Sequence, residues 1–98
     1  MAWYPYEGGT SVGQSGSEGG VIVVDEEHPD GARITLERDG AVAPWSITCG
    51  VYGWMAHTRF FPERAQAEIA LGPMKSSLEL VMTSDDEDRF TDFVNRFP

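Results

Sequence analysis

The chain has 98 residues, 16 acidic against 7 basic side chains, a net charge of −9 and one cysteine. That length suits one domain, and one cysteine rules out an internal disulfide framework. The charge leaves no basic stripe for nucleic acid or for an anionic membrane surface, and no apolar run approaches the ~20 residues of a membrane span.

In chain order, "MAWYPYEGG" brings Trp3, Tyr4 and Tyr6 around Pro5, and "TSVGQSGSEGG" follows, rich in Gly and Ser. We read residues 1–19 as an aromatic, then flexible, N-terminal segment whose aromatics pack back onto the domain. Residues 20–98 form a single α+β domain. "VIVVDEEH" is β-branched and then acidic, and the Pro29-Asp30-Gly31 that follows has the chemistry of a three-residue hairpin loop. "ARITLERDG" alternates, with Ala32, Ile34 and Leu36 on one side and Arg33, Thr35 and Glu37 on the other. Asp39-Gly40 is a two-residue hairpin signal that would pair Leu36 with Ala43 and Ile34 with Trp45. "WSITC" puts Trp45, Ile47 and Cys49 opposite in sense to Ser46 and Thr48. "WMAHTRFF" puts Trp54, Ala56 and Phe60 opposite in sense to Met55, His57 and Arg59.

A tight two-residue turn inside "GVYG" then joins the side of Trp45, Ile47 and Cys49 to the side of Trp54, Ala56 and Phe60. In that register Cys49 faces the core and His57 faces away from it, so the two do not meet as nucleophile and base. The expected fold is a four-stranded antiparallel meander. Residues 62–83 are either a helix kinked or broken at Gly72-Pro73 or two further strands, which would make six. The apolar stripe of Ala67, Ala70, Leu71, Met74, Leu78, Val81 and Met82 suits the helix. Ser84 and Glu87 have the spacing of a capping box for a last helix with Phe90, Phe93, Val94 and Phe97 on its apolar side.

Few residues carry chemistry. "DEEH", Asp25 to His28, alternates across a strand, so at most two of its side chains converge, and Glu27 is expected opposite Arg33. The run Asp85 to Asp88 lacks the spacing of a calcium loop. No phosphate loop, dinucleotide fingerprint or zinc spacing is present, so no metal or cofactor is expected. One constellation remains. The expected register lays Glu27, Arg33, Ser46 and Arg59 in a row across four strands, with Thr48 and His57 beside it. Two guanidinium forks flanking a serine suit a carboxylate or phosphate, which makes Arg33, Ser46, Thr48, His57 and Arg59 the candidate ligand-binding set.

"DEEHPDGARITLE" and "ITCGVYGWMAHTRFF" resemble segments of small bacterial proteins with no assigned activity, over roughly residues 3–61. The resemblance implies an α+β domain and supplies no function. The leading expectation is a non-enzymatic cytoplasmic module that binds a protein partner, or itself as a homodimer, or serves as an accessory subunit. The runner-up is an anionic-ligand or peptide binder on the arginine-bearing sheet face, and an enzyme comes third.

Overall fold

The computed structural model describes residues 2–98. Among them, five strands form one antiparallel sheet, and two α-helices follow. The strands are β1 (Tyr4–Pro5), β2 (Val21–His28), β3 (Ala32–Arg38), β4 (Trp45–Val51) and β5 (Met55–Phe61), in spatial order β1-β2-β3-β4-β5. The helices are α1 (Arg64–Thr83) and α2 (Arg89–Arg96). The class is therefore α+β with the helices on one face of a meander. The strand count is five, where four or six were expected, because Tyr4 and Pro5 pair with Glu27 and Glu26 at the edge of β2.

The β2–β3 hairpin closes through Pro29-Asp30-Gly31. His28 pairs with Ala32, the Gly31 N–H donates to the His28 carbonyl at 3.0 Å, and Gly31 sits at φ 104, where only glycine is comfortable. The β3–β4 connection is longer than the Asp39-Gly40 turn expected. Arg38 pairs with Trp45 and Leu36 with Ile47, so residues 39–44 all lie in the loop. Pro44 lacks a ladder donor, and its carbonyl accepts from the Asp39 N–H at 2.7 Å. The shift from the expected pairing is four residues. An even shift leaves Ile34, Leu36, Ile47 and Cys49 on one face.

The β4–β5 connection departs by an odd number. Val51 pairs with Met55, which leaves Tyr52, Gly53 and Trp54 as a three-residue loop; the Trp54 N–H donates to the Val51 carbonyl at 2.9 Å and Gly53 sits at φ 79. An odd change swaps every side chain of β5 to the other face. Cys49 therefore lies opposite His57, and Ile47 opposite Arg59, on the face the helices cover. The expected separation of Cys49 from His57 is overturned.

The helix-side face carries the core: Ala32, Ile34 and Leu36 of β3, Ile47, Cys49 and Val51 of β4, and Phe61 of β5. These meet Ala67, Ala70, Met74, Leu78 and Val81 of α1 and Phe93 and Phe97 near the chain end. The spacing of the α1 residues is one apolar stripe, continuous through Pro73, so residues 62–83 contain a single helix and no strand pair. Pro73 and Ile69, whose carbonyl the proline leaves without a helical donor, are both exposed, so water can satisfy that carbonyl. The last helix begins later than the capping box implied. The Ser84 hydroxyl accepts from the Asp86 N–H, Asp86 in turn accepts from the Asp88 N–H, and the helix starts at Arg89.

The other face is covered by the N-terminal segment. Residues 13–16 pair back along 20–22, and the buried carboxylate of Glu37 accepts the backbone N–H groups of Glu18 and Gly20 at 3.2 and 3.1 Å. Trp3 turns to the helix side, where its ring meets His28 edge-on with centroids 5.2 Å apart. Lys75 of α1 pairs there with Glu26.

Candidate functional site

The three-residue β4–β5 loop divides the expected arginine face in two. Arg33, Ser46 and Thr48 lie on the face under the N-terminal segment; His57 and Arg59 lie on the helix side. Ser46 is opposite Phe60, and it is Gly50, not Ser46, that stands opposite Arg33. No single site contains all five residues.

On the first face, Arg33 is already engaged. Its Nε and Nη2 donate to the two carboxylate oxygens of Asp25 at 2.9 and 2.6 Å, and the Tyr6 ring lies 3.6 Å from the guanidinium carbon. Glu27, the expected partner, does stand opposite Arg33, but it accepts instead from the hydroxyls of Tyr4 and Tyr52 at 3.0 and 2.5 Å. Burial pushes the Asp25 carboxyl up. The hydrogen bonds from Arg33, the nearby Ser11 hydroxyl, the Arg33 charge and Thr35 together outweigh burial and leave it below the usual carboxylate value. An open cleft of about 450 Å³ borders this network, with Arg33, Thr48, Tyr52, Ser15 and Ser17 on its walls. An anion there would meet a guanidinium whose charge is spent on Asp25. The Thr48 hydroxyl is paired with that of Thr58 at 3.1 Å, and Ser46 is buried with no hydrogen-bond partner. This face is a polar brace between the sheet and its N-terminal cover.

On the helix side, Cys49 and His57 are cross-strand neighbours, so a thiol–imidazole pair must be weighed on its chemistry. Cys49 is 2% exposed, and burial pushes its thiol up to about 12. The nucleophile would be the thiolate, which this environment suppresses. The His57 Nε2 is bound to the Phe97 carbonyl, so the ring is set against the chain end and away from base chemistry. We expect native Cys49 to react with a disulfide reagent such as DTNB at mildly alkaline pH at least about a hundredfold more slowly than in denaturant. Rapid native labelling, measured by absorbance stopped-flow, would restore a reactive centre.

Two features were not foreseen. The first is the end of the molecule where the β2–β3 and β4–β5 loops meet, joined by the Tyr52 N–H donating to the Gly31 carbonyl at 2.9 Å. Trp54 is 70% exposed there, yet one side of its ring stacks on Phe90 with centroids 5.8 Å apart and planes at 14°. Asp30, Tyr52, Trp54, Arg89 and Phe90 border a notch of about 160 Å³ at this end. The exposed acids Asp85 to Asp88 directly precede Arg89. The available sequence signal is "YGW", whose central Gly53 permits a turn there and whose tryptophan strand phase alone places in the core. The second is Arg96, which joins Arg59 around the Phe97 ring. Its position beside Phe97 in the last helix was the available signal.

Among the described residues, no three His, Cys, Asp or Glu side chains are grouped as metal ligands, and no helix is long and apolar enough to cross a membrane. The fold and these surfaces define a small antiparallel α+β domain whose distinctive chemistry lies in exposed aromatics and charges. No family model matches the chain, and neither the curated proteins nor the solved structures contain a detectable match.

Proposed function

We propose that the protein is a non-enzymatic interaction module of the cytoplasm that presents its loop end to a basic protein partner. The observation that carries this reading is Trp54, largely exposed on a closed hairpin tip and held flat by Phe90. A rigid exposed aromatic loses little entropy on binding, and such residues dominate interface energies. Tyr52 is half-exposed beside it, Asp30 borders the same notch with Arg89, whose guanidinium carbon lies 5.9 Å from the Trp54 ring, and the exposed acids Asp85–Asp88 directly precede Arg89 in the chain. Arg89 already makes a cation–π contact with the Trp54 ring at the notch, and a partner's lysine or arginine that takes its place would gain that ring and the Asp30 carboxylate together. The charge favours a basic partner and speeds its approach, while it opposes contact between two copies through this end.

Capture from the source lysate by immobilised protein tests the reading. A basic partner should be retained, released by salt, and weakened about 30-fold or more by Trp54→Ala, the loss of ~2 kcal/mol expected of an anchoring tryptophan. Arg38→Ala, at the opposite end of the sheet, should leave capture unchanged. Binding indifferent to both Trp54 and salt would refute the proposal.

A further inference from the structure

At the end of the sheet far from Trp54, a cleft of about 680 Å³ opens between the last residues of β5, the first half of α1 and the chain end. Arg59 and Arg96 border it, and their guanidinium carbons lie 5.8 and 5.4 Å from the centroid of the Phe97 ring. Arg59 also lies 5.1 Å from the Phe61 ring. Both cations therefore converge on one aromatic wall.

No carboxylate answers them. Among the described residues, the ion pairs within 4.0 Å involve His28, Arg33, Arg38, Arg64 and Lys75, and neither Arg59 nor Arg96. Asp92, one helical turn before Arg96, is not within that distance. No acidic residue lines the cleft, in a chain with 16 acids. With no side-chain carboxylate matched to either one, both guanidinium groups keep their donors for an anion. The remaining walls are apolar: Phe61, Phe97, Pro73, and Ile69, which is 75% exposed. His57 holds the wall in place through its bond to the Phe97 carbonyl, which fixes the segment that carries Arg96.

We propose that this cleft binds a small organic carboxylate, with its head between Arg59 and Arg96 and an aryl or alkyl body on Phe61, Phe97 and Ile69. Guanidinium forks match a carboxylate's two oxygens, and the cleft volume falls in the range of small-molecule sites. The apolar body follows from walls that offer no further hydrogen-bonding side chain except Gln66. This site is independent of the loop end proposed for protein binding.

Phenylbutyrate is a suitable probe, with phenylbutanol and acetate as its uncharged and bodiless comparators. Titration followed by heteronuclear NMR should give saturable shifts at residues 59–61, 69–73 and 96–97. Both comparators should bind about tenfold or more weakly, and Arg59→Ala and Arg96→Ala should each cost about tenfold, as expected for a lost charge-assisted hydrogen bond. Arg59→Lys should recover part of the affinity, because charge is kept and the fork is lost. Arg38→Ala should change nothing. The proposal fails if phenylbutanol binds as well as phenylbutyrate. It fails equally if the folded double variant Arg59→Ala, Arg96→Ala retains binding, or if phenylbutyrate gives no saturable shift up to its solubility.

Discussion

Arg33→Ala is expected to destabilise the fold by ~3 kcal/mol at neutral pH, the lower end of the cost of breaking a buried ion pair. The lower end applies because the guanidinium keeps a third of its side chain exposed, whereas the Asp25 side chain has no exposure at all. What the substitution leaves behind matters more than what it removes. Asp25 would stay inside the sheet's outer face with Thr35 as its remaining side-chain donor from the strands, at 3.1 Å. The sign of the pH dependence follows. In the native protein the Asp25 carboxyl lies below its ordinary value of 3.8, so its contribution is complete above that value and fades as pH falls through the lowered one. In the variant both Arg33 contributions are lost while burial remains, so the carboxyl moves upward and the stability gap to the native protein widens as pH rises through the acid range. The two proteins should therefore be closest in stability in acid and furthest apart at neutral pH. Urea unfolding across that range checks this, and adding Asp25→Asn to the variant should recover part of the loss. A gap of constant size at every pH would mean that Arg33 acts through packing against Tyr6 and not through Asp25.

The same pair shows which parts of the structure could be read beforehand. The β2–β3 hairpin was legible to the residue, because Pro29-Asp30-Gly31 permits few loop geometries, and with it the facing of Glu27 and Arg33. The pairing of β3 with β4 was legible in its faces though not in its register, since Pro44 lengthens the loop by an even number. The face of β5 was not legible. Its alternation looked decisive because Arg59 and His57 are polar, and polar residues were assigned to the solvent side. At a sheet edge that assignment loses force. The Arg59 side chain lies along Phe61 and Phe97, and His57 bonds a backbone carbonyl, so both sit on the helix side at little cost. Phe60 and Trp54, the residues meant for the core, remain exposed. One residue of turn length then separated Arg33 from Arg59 and placed Cys49 beside His57.

That single residue also explains why the molecule has two unlike ends. The odd loop projects Trp54 from the tip, where it lies on Phe90, and turns Arg59 toward the chain end, where it meets Arg96 across Phe97. An even loop would have turned the tryptophan toward the helix side and put Arg59 on the same face as Arg33. The aromatic loop end and the positive, apolar cleft are thus consequences of the same turn. A variant that shortens the loop should damage both together.

Leu78→Ala is expected to cost ~3 kcal/mol, within the range for large-to-small core changes, whereas Leu80→Ala two residues on should stay within about 0.5 kcal/mol. The chemistry of the two substitutions is identical, so the difference isolates position. Leu78 is 0% exposed and belongs to the core that joins α1 to β3 and β4. Leu80 is 66% exposed and has turned through the angle of two helical residues to face solvent. Both lie beyond Pro73, so the contrast tests whether the helix keeps its phase past the proline. If α1 broke there and restarted with a different rotation, the ranking of the two leucines would no longer follow the stripe set by Ala67 and Ala70. For a chain of this size ~3 kcal/mol corresponds to a fall in melting temperature of about 12 °C or more, easily resolved by calorimetry. Equal losses for Leu78→Ala and Leu80→Ala would refute the continuous helix, and with it the packing that seats α1 across the sheet.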